Sequence, residues 1–215
     1  MYLSFDEWNV WFHSSDKDAK IEKWTESPPQ LEDIYTMEDA LVAGCMLITL
    51  IKNADKVKVA CLAQLVNVIA PIMTESGGAS WRQTIYWPFK HASLWGRGTA
   101  LGCPVTCECY DSLEYSGVPY IEAAAVHNEE AGEIVIFAVN RNLSETAELE
   151  AGLYGFGRLR FIEHVSLYNS DLKAVNSAKA EKVAPVIQNA GRIEDGKLLA
   201  VLPPASWNVL RVAVE

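Results

Sequence analysis

The sequence predicts an α/β segment followed by an all-β domain, with the change near residue 98. Three observations carry this. Residues 2–63 run strand, loop, helix, strand, the order of a βαβ unit. The run VKVACLA at 57–63 is apolar almost throughout, as a parallel strand covered on both faces is. From Thr99 onward, short and partly alternating segments separated by turn-forming residues replace the helical spans. That is the pattern of an antiparallel β-sandwich or jelly roll. The expected division is therefore 1–98 and 99–215.

Each element has its own signal. Tyr2 to Phe5 is a short apolar strand, and the polar stretch from His13 to Tyr35, carrying Pro28-Pro29, is a long loop. MEDALVAGCMLITLIK at 37–52 is a helix, because Glu38 and Asp39 in its first turn and Lys52 in its last complement the dipole. Asn53 can close its end. After strand 57–63, an excursion from Gln64 to Ser80 leads to a mainly helical region, 81–98. CPVTCEC, YIEAAAVHN, GEIVIFAVN, ETAELEA, RLRFIEHVSLY and KLLAVLPPASWNVLRVAV supply the strands of the second part, with Asn128, Gly132, Asn142, Gly155 and Gly196 at the turns. Two parallel strands and a helix cannot bury their own apolar faces. The first hundred residues are thus expected to end a larger α/β domain, whose remainder comes from a longer chain or another polypeptide.

Composition narrows the function. Acidic residues outnumber basic ones by 28 to 18, a net charge of -10. That balance repels nucleic acid and anionic membrane and suits a neutral ligand. The sequence has no leader-like start and no run long enough to span a bilayer, so a cytoplasmic, reducing location is expected. There the sequon Asn142-Leu143-Ser144 carries no meaning. Cys45 and Cys61 lie in apolar runs as small hydrophobes. Cys103, Cys107 and Cys109 match no zinc spacing, and are expected as buried or edge thiols. His13, His91, His127 and His164 are scattered, Gly77-Gly78 lacks the lysine of a phosphate loop, and Glu129-Glu130 fits a solvated turn. No metal and no cofactor is expected.

Chemistry concentrates in LSFDEWNVW at 3–11. Asp6 and Glu7 follow an apolar strand, and Trp8 and Trp11 flank Asn9. A carboxylate at the carboxyl end of a parallel strand is either a structural ion pair or a cap, or it is a catalytic group. Indole faces beside a carboxylate suit a sugar, whose C–H patches stack on aromatics while its hydroxyls hydrogen-bond. Gln64 and Asn67 occupy the same rim after the second strand.

These residues carry a family resemblance. FDEWNVWFH at 5–13, PPQLEDIYTMEDALVAGCMLITLIKNAD at 28–55, VKVACLAQLVNVIAPIMTE at 57–75, WRQTIYWPFKHAS at 81–93, IFAVNRN at 136–142 and LPPASWNVLR at 202–211 resemble the C-terminal part of family 51 glycoside hydrolases, the intracellular α-L-arabinofuranosidases. The resemblance implies the last strands of a (β/α)8 TIM barrel, the seventh and eighth with their helices, followed by a jelly-roll-like β-sandwich. It implies that Glu7 is the nucleophile, that Trp11 lines the arabinose pocket, that Gln64 hydrogen-bonds the sugar, and that Asp6 supports the rim. The substrate implied is an arabinofuranosyl-containing oligosaccharide or polysaccharide, cleaved by double displacement with retention. In that chemistry a second carboxyl group about 5–5.5 Å away acts as acid and base. Adjacent strand residues point to opposite faces, which sets Asp6 against that role. The family's acid/base, a glutamate after an asparagine at the fourth strand, is expected outside this chain. The isolated chain is then expected to lose about 10²–10⁴-fold in rate or more, and the complete enzyme to be a hexamer.

Two other functions fit the same residues. The β-sandwich could serve carbohydrate binding or assembly without catalysis; its candidate aromatics are Tyr110, Tyr115, Tyr120, Tyr154, Tyr168 and Trp207. A split enzyme, with a second chain supplying the first six strands, is the other.

Overall fold

In the computed structural model, which describes residues 1–12 and 19–215, the chain begins with two parallel strands, β1 (Leu3–Trp8) and β2 (Val57–Leu62), joined through helix α1 (Met37–Lys52). The helix starts where the charges predict. Thr36 and Asp39 form a reciprocal capping box: Thr36 N–H donates to Asp39 Oδ2 at 2.7 Å and Asp39 N–H to Thr36 Oγ1 at 3.4 Å. Asn53 closes the other end, its Nδ2 donating to Thr49 O at 2.9 Å. His13, one of the four scattered histidines, lies outside the described residues.

Strand β2 departs from the expectation of burial on both faces, since Lys58, Val59 and Cys61 are exposed. The cause is topological. β1 and β2 form a two-stranded sheet by themselves, and a parallel strand is buried only by neighbouring strands and by helices over both faces. Leu3, Phe5 and Val59 remain 54%, 48% and 47% exposed.

After the hairpin of β3 (Ile72–Thr74) and β4 (Ser80–Arg82) and helix α2 (Tyr86–Trp95), the chain is built of strands. These are β5 (Thr99–Leu101), β6 (Cys109–Tyr110), β7 (Val118–Pro119), β8 (Ile121–Asn128), β9 (Glu133–Asn140), β10 (Ala147–Gly152), β11 (Leu159–Tyr168), β12 (Val186–Gln188), β13 (Arg192–Glu194), β14 (Lys197–Leu202) and β15 (Ser206–Val214). An antiparallel six-stranded sheet runs β12-β11-β15-β9-β8-β5 and faces a three-stranded sheet, β10-β14-β13. Leu198, Leu202, Ile134, Ile136, Leu210 and Val212 fill the space between them. The expected β-sandwich is present. Of CPVTCEC, only Cys109 enters a strand. Glu129 and Glu130 lie in the exposed β8–β9 turn, held by Ala131 N–H donating to Asn128 Oδ1.

A third layer covers the outer face of the six-stranded sheet. Met37, Ala40 and Ile48 of α1 and Trp87 of α2 pack on Val126, Phe137, Val139, Trp207 and Val209. Strand β9, EIVIFAVN, is therefore buried from Ile134 to Asn140, whereas β10, AELEAG, alternates with Glu148 and Glu150 outward. A strand covered on both faces shows an apolar run, and one covered on a single face alternates. Gly44 sets the closeness of α1. A Cβ there would meet Trp207 Cε3 at 2.6 Å.

Two buried histidines stand in this core. Trp207 Nε1–H donates to His91 Nδ1 at 3.1 Å, and His164 Nε2 lies 2.9 Å from Asn208 Oδ1. Asn208 Nδ2 already donates to Ser206 Oγ, so Asn208 Oδ1 accepts and His164 is the Nε2–H tautomer. Burial, and secondarily the Lys90 ammonium, hold His91 down at about 4; burial also lowers His164. From the unfolded value of about 6.5 down to about 4, the unfolded chain takes up a proton that folded His91 refuses. Stability therefore falls as pH falls through that window, by about 3 kcal/mol for His91. Urea midpoints measured from pH 7.5 to 4.5 should decline, and His91→Gln should flatten the decline. An unchanged slope in the variant would remove His91 as its source.

Candidate functional site

Glu7 is the penultimate residue of β1, exposed at the strand's carboxyl end. The ladder with β2 slips here. Phe5 pairs with Ala60 and Trp8 with Leu62, so three steps on β1 span two on β2. The extra residue falls at Asp6–Glu7 and forms a bulge, a device that re-aims side chains and is frequent beside active sites. Asp6 still shares a strand face with Ser4, two residues back, as alternation requires. Asp6 Oδ1 is engaged by the hydroxyl of Ser4. Trp8 turns inward, only 6% exposed, with its ring 6.4 Å from Phe89 of α2.

Asn9 joins the ends of the two strands. Buried, it donates from Nδ2 to Ala63 O at 2.6 Å and to Ile69 O, and its Oδ1 accepts from Val10 N–H at 2.8 Å. Ala63 N–H returns a bond to Trp8 O at 2.9 Å. Gln64 follows at once, its backbone N–H bonded to Ile69 O at 3.3 Å and its side chain exposed; the Ala63–Gln64 peptide is cis. Glu7 and Gln64 thus leave the carboxyl ends of adjacent parallel strands, with Trp11, 63% exposed, three residues beyond β1. The polar position inside an aromatic run was the only sequence signal for Asn9, and its role needed the partner strand to be visible.

A second tie lies behind the rim. Gln83, fully buried, accepts from Tyr35 N–H at 2.9 Å and donates to Asp33 O and Ala70 O, both at 2.9 Å. It pins the segment after β1 to the segment after β2. Asn67 is spent in its own loop, accepting from Thr74 N–H at 2.8 Å and donating to Thr74 Oγ1 at 3.0 Å. Among the described residues no three His, Cys, Asp or Glu side chains converge as a metal site requires, and no helix is long and apolar enough to cross a membrane. Of the aromatics considered for a sugar platform, Trp207 is fully buried, and Tyr110 and Tyr120 pack on each other at 4.9 Å.

A family model described as the α-L-arabinofuranosidase C-terminal domain matches residues 6–206. The chain belongs to that family. It is 52% identical over 212 residues to an intracellular exo-α-(1→5)-L-arabinofuranosidase of Halalkalibacterium halodurans, covering 99% of this chain and 42% of that protein. It is 51% identical to the protein of the same name from Acetivibrio thermocellus, covering 99% and 43%. Its fold matches a family 51 α-L-arabinofuranosidase of Bifidobacterium longum with a TM-score of 0.88 at 37% identity, covering 98% of this chain and 43% of that one. A family 51 arabinofuranosidase from Xanthomonas axonopodis pv. citri matches at 0.83 and 25%, covering 98% and 41%. The chain spans less than half the length of these family members.

Proposed function

We propose that the chain is the nucleophile-bearing part of a retaining α-L-arabinofuranosidase that releases terminal non-reducing arabinofuranosyl residues. The observation that carries this is that Glu7 and Gln64 both stand at the carboxyl ends of neighbouring parallel strands, which Asn9 ties together, in a chain of this family. In this reading residues 1–98 are the seventh and eighth strands of a (β/α)8 barrel with their helices, and residues 99–215 are the sandwich that braces it. The exposed apolar side chains of Leu3, Phe5 and Val59 support further strands packed beside β1 and β2. Barrel enzymes place their chemistry at the carboxyl ends of their strands, where Glu7 stands.

Glu7 attacks the anomeric carbon, and the bond to the leaving oxygen breaks as a second carboxylic acid, outside these residues, delivers its proton. The arabinosyl ester on Glu7 is then hydrolysed by water that the same group deprotonates. Trp11 stacks on the sugar and Gln64 hydrogen-bonds its hydroxyls. A glycan ending in α-(1→5)-linked L-arabinofuranosyl residues, the linkage in the relatives' names, is the substrate proposed, and those names support an intracellular site of action. A 2-fluoro arabinofuranosyl donor with a good leaving group should trap the ester. Mass spectrometry of the protein's peptides is expected to find the added sugar on Glu7; a sugar found elsewhere would refute the assignment.

A further inference from the structure

We propose a second carbohydrate site for this enzyme, a groove of about 510 Å³ that holds units of the glycan beyond the residue being cleaved. It rests on the arabinofuranosidase reading for its ligand, and on the geometry of the sandwich for its place. The volume lies within the range of about 300–1,000 Å³ common to small-ligand sites. One wall is Trp81 and Arg82 of β4 with Tyr86 at the start of α2; the other is Ser177, Lys179 and Glu181 from the β11–β12 connection.

Hydrogen bonds connect the groove's walls to the segments that follow β1 and β2. Helix α1 leaves the loop after β1, so its first turn lies at the carboxyl end of the parallel strands. The β11–β12 connection is fastened to that turn: Met37 N–H donates to Ala174 O and Glu38 N–H to Leu172 O, both at 3.0 Å, and Lys173 pairs with Glu38. On the other side, Ile72, which also lines the groove, accepts from Asn67 N–H at 2.9 Å in the loop that follows Gln64. Gln83, next to Arg82, ties both rim segments together.

The walls are rigid and their chemistry suits a neutral polyol. Asn176 closes the connection on itself, exchanging bonds with Val183 N–H and Val183 O at 2.8 Å, and Trp87 Nε1–H donates to Val183 O at 3.2 Å. Arg82 lies over the Trp87 ring at 4.8 Å and pairs with Glu181 at 3.3 Å across the groove. A fixed guanidinium and carboxylate offer planar donors and acceptors to neighbouring hydroxyls, and their mutual neutralisation disfavours an anion. Trp81 supplies an indole, and its buried Nε1–H has no hydrogen-bond partner among the described residues. An indole beside planar polar groups accommodates the two faces of a sugar ring.

The test is Ala178→Glu in the full-length enzyme, at an exposed position lining the groove, where a longer charged side chain opposes a neutral sugar. Turnover of 4-nitrophenyl α-L-arabinofuranoside, which reaches only the cleavage point, should stay within about 2-fold. With α-1,5-arabinopentaose, kcat/KM should fall about 10-fold, carried by KM, the scale of one lost sugar contact. Equal activity of variant and parent on the pentaose would overturn the proposal. If the parent hydrolyses neither substrate, the enzyme reading fails. Calorimetric binding of the pentaose then decides the groove alone: weaker binding by the variant supports it, and equal or absent binding overturns it.

Discussion

Replacing Glu7 by glutamine in the native enzyme is expected to lower turnover of an aryl α-L-arabinofuranoside by about 10⁴–10⁶-fold, the scale on which loss of a nucleophile is felt. The amide is nearly isosteric but cannot form the glycosyl ester. Glu7 is exposed at the strand end, so folding stability should change by no more than about 0.5 kcal/mol. A second variant, Glu7→Gly, leaves room for a small anion, and azide should restore part of the rate while yielding the arabinosyl azide of inverted configuration. That inversion separates lost chemistry from lost structure. Turnover by Glu7→Gln within about 10-fold of the parent would move the nucleophile to another residue.

Trp207→Ala is expected to cost about 3–5 kcal/mol, the largest effect on folding of any change considered. Trp207 is fully buried, stacks on Phe137 at 5.6 Å, receives α1 at Gly44 and donates its indole N–H to His91. Truncation opens a cavity between the helices and the six-stranded sheet and leaves His91 Nδ1 without its donor. Gly44→Ala should cost about 1–3 kcal/mol by pushing the same surfaces apart. The two changes share one contact, so the penalty of Gly44→Ala should shrink in the Trp207→Ala background. Chemical denaturation of the four proteins gives the coupling. Strictly additive losses would mean that the helix does not rest on this indole.

Local patterns were legible wherever one residue type has one physical use. Helix 37–52 could be bounded because Glu38, Asp39, Lys52 and Asn53 act within a turn of their own backbone. The alternation of β10 announced a strand with one wet face. The apolar run of β9 was counted among the sandwich strands without the helical layer over it, because a run of apolar residues reports that both faces are covered and not by what. β2 shows the limit from the other side: its sequence demands cover on both faces, and within this chain Val59 stays exposed.

The motif at 3–11 marked Glu7 and its neighbouring indoles as candidates, while a cap or an ion pair stayed open, and it was the family resemblance that assigned roles to Glu7, Trp11 and Gln64. Their support was invisible there. Asn9 bonds to Ala63 and Ile69, and Gln83 to Asp33, Tyr35 and Ala70, partners at least thirteen residues away. The bulge at Asp6–Glu7 exists only in relation to the register of β2. The groove needs β4, α2 and the β11–β12 connection, which are some 95 residues apart in the chain. By itself the sequence determined helix 37–52, the long strands of the sandwich, the acidic balance and the residues able to do chemistry, because these follow from side-chain type and short-range spacing. Only the tertiary structure decided which faces are covered, how the strand ends are locked and where the sandwich meets the rim, because each of these is a contact between segments whose separation in sequence carries no physical constraint.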